Sequence, residues 1–179
     1  MTLATAHLVP GLLLLALGVP LLLKLAAFRA ALLAFPRSLA ATYVFFGSAA
    51  AWFLYTIWHL SPADFGEYRH WIFGGGVIIA ALSFKCVPDF LAVRGVCGLV
   101  LMGAMPLLDA AFMEYDKPRR LFMVTIVYLA IAAAVWLGAQ PWRARDFLGW
   151  LFARPNRARL AGAVLSAYGL LLVGLTATF

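Results

Sequence analysis

Apolar residues run along this chain in six blocks, near 3–23, 39–60, 71–87, 90–112, 121–139 and 160–179, and the charged residues gather in the breaks between them. A helix needs about 20 apolar residues to cross the hydrocarbon core of a bilayer. Inside the bilayer every backbone N–H and C=O must find its partner within the segment. The blocks therefore predict six transmembrane helices. The third is the short one. Its apolar stretch covers only 71–84, but Arg69 and Lys85 flank it and can snorkel to the headgroups.

The breaks orient these helices. Ten of the 14 basic residues fall in three of them, around 24–37, 85–94 and 143–159, with only Asp89 and Asp146 as acids. The other breaks hold Arg69, Lys117, Arg119 and Arg120 beside five of the seven acids. An excess of Lys and Arg faces the cytoplasm, so both termini are expected outside. The chain becomes three hairpins closed on the cytoplasmic side, each closure holding a proline (Pro36, Pro88, Pro155) that ends a helix. Trp58, Tyr68, Trp71 and Tyr115 then fall at the outer interface and Trp142 and Trp150 at the inner one, as an aromatic belt does.

Two of the closures resemble each other. At a constant offset of 119, Phe28 matches Phe147, Leu32 matches Leu151, Ala34 matches Ala153 and Pro36 matches Pro155. Both stretches are too short and too charged to span. Each reads as an amphipathic elbow lying flat in the interface, apolar face down and arginines among the headgroups. Internal duplication is one origin; chance likeness between two Ala/Leu-rich segments is the other. The expected fold is an all-α integral membrane protein: a six-helix bundle of three hairpins with two short interfacial elbows, in one domain over 1–179.

Composition agrees. The chain is 65% hydrophobic and 12% charged, with a mean hydropathy of +0.97. A soluble domain carries about 25% charged residues, because its surface must be polar. The net charge of +7 does not point to nucleic acid, since the basic residues sit where they meet lipid phosphates. Eleven Arg against three Lys, with abundant Ala, Leu and Gly, suggests a GC-rich bacterial genome and so a bacterial cytoplasmic membrane. Cys86 and Cys97 form no metal or disulfide motif. The N-terminus carries no basic run, so the first block is expected to remain as a span rather than a cleaved leader.

Chemistry is sparse. All three histidines, His7, His59 and His70, map to the outer half, where Asp64 and Glu67 also lie. Such a group could bind a metal or relay protons. No tight ligand spacing supports this, and interfacial histidines bonded to headgroups or backbone account for it, so no metal or cofactor is expected. Asp109 is the sharpest single candidate: an acid in an apolar helix, three residues after Pro106, which leaves a backbone carbonyl unpaired. Its alternative is a tie to Arg119 or Arg120. Arg94, four residues into the fourth span, is expected to snorkel or to pair with Asp89. Small residues mark helix contacts: Gly74, Gly75 and Gly76 in the third span, Gly95 and Gly98 in the fourth, Gly162 and Ser166 in the sixth.

There is no phosphate-binding loop, dinucleotide glycine pattern, nucleophile elbow or Cys-x-x-Cys. The first functional expectation is therefore a non-catalytic structural or accessory subunit, with membrane lipids and a protein partner or second copy as neighbours. A small-solute or proton-coupled transporter working through Asp109 and the glycine-rich third span is the second reading. A lipid-modifying enzyme using the outer His/acid group is the third.

Overall fold

The computed structural model describes residues 1–178; Phe179, the expected last residue of the sixth span, lies outside the described residues. Among the described residues the chain is helical throughout, with no strand. Eight α-helices follow one another: α1 (Leu3–Leu22), α2 (Ala26–Ala34), α3 (Leu39–Trp58), α4 (Arg69–Cys86), α5 (Leu91–Asp109), α6 (Arg120–Ala139), α7 (Trp142–Phe152) and α8 (Pro155–Leu175). Five of these, α1, α3, α5, α6 and α8, are long and apolar enough to cross a membrane. The expected third span forms as α4, but it is not among the five. Arg69, His70 and Lys85 lie at the two ends of its 18 residues and lower the mean hydropathy of the helix.

The ends of the helices follow local chemistry. Thr2 caps α1 by accepting from the Thr5 amide at 3.3 Å, and Ser38 caps α3 by accepting from the Ala41 amide at 3.2 Å. Pro155 opens α8 where no amide hydrogen is needed. Four bends turn on non-glycine residues in left-handed backbone: Lys24, Phe65, Phe90 and Met113, with φ between 54° and 63°. Residues 42–46 of α3 form a π-helical turn. Such a turn holds one more residue than an α-turn and widens the backbone locally.

The most extensive helix contact joins the two ends of the chain, α1 and α8. They run antiparallel: Gly11 faces Gly169 and Leu172, while Gly18 faces Gly162 and Ser166. A Cβ on Gly18 would stand 2.6 Å from Ser166 Oγ, and one on Gly162 would stand 2.5 Å from the Leu22 nitrogen. The backbones are therefore in direct contact, as small residues allow in a setting where apolar burial gives no preference for protein over lipid. Towards the end that carries Thr2, Leu3 and Ala6 meet Met123 and Val127 of α6, Ala104 of α5 and Leu172 of α8 in one core cluster.

The rest of the molecule hangs on α5. Gly95 sits against the Phe45–Phe46 backbone of the π-turn, Gly98 against Ala49 and Gly103 near Trp52. Residue numbers rise together on both helices, so α3 and α5 are parallel. Between them α4 returns along α3. Trp58 meets His70 and Phe73 at one end, Leu54 meets Gly76 midway, and Tyr43 and Phe46 meet Phe84 at the other. Unlike every other long helix, α4 buries no residue.

The two expected elbows are α2 and α7, set between long helices and in contact with each other. Phe28 and Leu32 of α2 pack with Leu151 of α7, Leu21 of α1 and Ala158 of α8. Leu32 and Leu151, matched positions of the two similar stretches, thus meet in one cluster.

Candidate functional site

The outer His/acid group does not assemble into one site. His59 closes α3 and its Nδ1–H donates to the Tyr55 carbonyl at 2.8 Å, within its own helix. His70 stands edge-on to the Trp58 ring at 5.4 Å, and Arg69 lies over the same ring at 5.9 Å. Asp64 accepts from Ser61 Oγ at 2.8 Å inside the loop, and Glu67 is exposed in the short turn that follows. Among the described residues no three His, Cys, Asp or Glu side chains come close enough to share a metal ion.

Asp109 is the last residue of α5, and it is exposed. It lines an open hollow of about 310 Å³ with Tyr115, Arg120 and Tyr128. Arg120 does not pair with it. Its Nη1 donates to the Ala111 carbonyl and its guanidinium stands 4.8 Å over the Tyr115 ring. The two ion pairs among the described residues are Lys117–Glu114 and Arg145–Asp146, each between exposed neighbours in sequence. Exposed pairs of this kind contribute about 0–1 kcal/mol. Arg94 is half-buried in the first turn of α5 and forms no pair with Asp89.

Tyr168 Oη of α8 donates across to the Phe122 carbonyl of α6 at 2.8 Å, whereas three smaller polar side chains of the long helices close on their own helix. Thr56 donates to the Trp52 carbonyl, Ser83 to Ile79 and Thr125 to Leu121, each four residues back at 2.8–3.0 Å. Ser166 differs: its Oγ is buried against α1 without a hydrogen-bond partner. Of the glycine triple, Gly76 receives Leu54, whereas Gly74 and Gly75 face open space. Gly95, Gly98 and Gly162 stand at helix contacts.

One residue carries more structural weight than its sequence context suggests. His7 is fully buried, and among the described residues no other histidine, lysine, arginine or acid is. Its Nδ1–H donates to the Leu3 carbonyl at 2.9 Å, and Nε2 faces the Arg119 carbonyl at 3.4 Å across to the start of α6. It shares the buried face of α1 with Gly11 and Gly18. That spacing of four and then seven residues is a helical stripe, but it lies in a run so evenly apolar that the pattern alone does not single it out.

At the opposite end from Thr2, α2 leans over the junction of α1, α7 and α8. Beneath it lies a cleft of about 690 Å³ with Lys24 and Arg29 on its lining.

The architecture defines a class: an all-helical chain with five helices long and apolar enough to cross a membrane. Set against protein-family models, curated proteins and solved structures, the chain matches none.

Proposed function

We propose that the chain is a non-catalytic subunit of a membrane assembly, crossing a bacterial cytoplasmic membrane six times with both ends outside. The six crossings rest on direction. Parallel α3 and α5 need a return path, and α4 lies antiparallel along α3 for its full height. At 18 residues it is about 27 Å long, close to the hydrocarbon thickness. Antiparallel α1 and α8 likewise call for an even number of crossings. The lysines and arginines of the α1–α3, α4–α5 and α6–α8 connections orient the bundle.

The observation that carries the functional reading is α4 itself. It buries no residue, touches chiefly α3, and turns Gly74 and Gly75 to open space. Small residues on a lipid-facing span favour close approach of another helix. The alternative of transport has less support, because Asp109 lies exposed at a helix end rather than facing a polar path at mid-span.

The test is cross-linking in native membranes. Single cysteines at Gly75 and, as a control, at Leu129 on the exposed surface of α6 are introduced with Cys86→Ser and Cys97→Ala. A discrete cross-linked species from position 75 and none from 129 supports the assembly reading. Equal, diffuse labelling at both sinks it. Labelling from either side of the membrane tests the crossings: a cysteine at Asp116 should react from outside and one at Asn156 from inside.

A further inference from the structure

We infer that the cleft under α2 is a binding site for one anionic phospholipid, its phosphate held between Lys24 and Arg29 and its acyl chain laid along the apolar wall. The cleft measures about 690 Å³, inside the range of about 300–1,000 Å³ that small-molecule sites occupy. Phe28, Leu33, Phe152 and Pro155 contribute to its lining, and no acid does. One part of the surface is thus cationic and the rest apolar, which is the chemistry of an anionic amphiphile and not of a free ion.

Both cations are set in place by the fold. Lys24 occupies a left-handed turn with φ 54°, a conformation that a lysine adopts only at some cost. The turn aims the chain from α1 into α2 and leaves Lys24 at the mouth of the cleft. Lys24 has no hydrogen bond or ion pair to another side chain. The neighbouring C-terminus of α1 accounts for a cation at position 24 through its dipole, but it does not account for Arg29. Arg29 stands 5.7 Å over the Phe152 ring, which fixes the guanidinium without neutralising it. The two arginines of α7 are engaged elsewhere: Arg145 pairs with Asp146, and Arg143 bonds Gln140. Two uncompensated positive charges beside an apolar hollow attract a phosphodiester and leave room for its chain.

This inference is independent of the subunit proposal, since no residue of α4 lines the cleft. The experiment uses the full-length protein purified in detergent and then presented with defined phosphatidylglycerol, phosphatidylcholine or inorganic phosphate, with retained lipid read by native mass spectrometry. Phosphatidylglycerol should be retained in a one-to-one complex in preference to phosphatidylcholine. Near a membrane surface each cation is worth about a fivefold change in affinity, so Lys24→Gln and Arg29→Gln should each weaken retention about fivefold and together about thirtyfold. Arg145→Gln should leave it unchanged. Ala30→Trp keeps both charges and the helix but fills the cleft, and it should remove the bound lipid from a protein that remains monodisperse. The inference is overturned by equal retention of the two lipids, by retention that survives Ala30→Trp, or by inorganic phosphate displacing the lipid completely at millimolar concentration.

Discussion

The α1–α8 seam and the α3–α4 hairpin are both antiparallel pairs of helices in the same apolar setting, yet they are held by opposite means. Along α1–α8, glycines bring the two backbones into contact at three successive levels, from Gly11–Gly169 to Gly18–Gly162. Along α3–α4 the contacts are aromatic rings, Trp58 on Phe73 at one end and Tyr43 on Phe84 at the other, with helix surfaces left exposed. Close packing carries most of the attraction between apolar helix faces, because lipid is as apolar as the neighbour it replaces. The first pair is therefore a closed joint. The second is a flank that a further helix can approach.

Substitutions that add a single methyl group probe this contrast most directly. Gly162→Ala would place a Cβ 2.5 Å from the Leu22 nitrogen, against backbone that cannot move aside. The joint should lose about 3 kcal/mol, read as a fall in the thermal midpoint of the detergent-purified chain. A variant that melts with the wild type would show that the joint is not close-packed. Gly95→Ala should come next, at about 2 kcal/mol, since its Cβ would collide with the Phe45–Phe46 backbone where the π-turn opens. Ser166→Ala runs the other way. It removes a buried hydroxyl with no partner and keeps the packing against Gly18, so stability should rise by up to about 1 kcal/mol. A clear loss would mean that the hydroxyl has a partner in the membrane. Gly75→Ala should change the isolated chain by less than about 0.5 kcal/mol, because nothing stands within 4 Å of the added atom. If it destabilises the isolated protein as Gly162→Ala does, the flank is not open and the comparison fails.

Much of this architecture was legible in the order of residues. The apolar runs located all five long spans, and the prolines and arginines marked the elbows that became α2 and α7. The third run announced its own weakness: its charged flanks belong to helix α4 and keep it apart from the others. What one chain cannot display is which faces meet. Gly162 and Ser166 stood out as packing residues, but their partner Gly18 lies in a run so uniformly apolar that no face distinguishes itself. His7 was hidden for the same reason. Its place near the chain start suggested the interface, while the fold carries it inside, against the start of α6. The expected tie of Asp109 to Arg120 depended on a loop conformation. Met113 turns that loop through left-handed backbone, and Arg120 reaches the Ala111 carbonyl instead.

The α1–α8 joint also has a consequence for biogenesis. Its two sides are far apart in sequence, so Gly18 is made 144 residues before Gly162 (162 against 18). At synthesis rates of about 5–20 residues per second, the first helix waits for about 7–30 s with its contact face filled only by lipid. Insertion chaperones and quality-control proteases that read unpaired spans have that interval in which to act. The nascent chain stays open to them until α8 arrives and closes the joint.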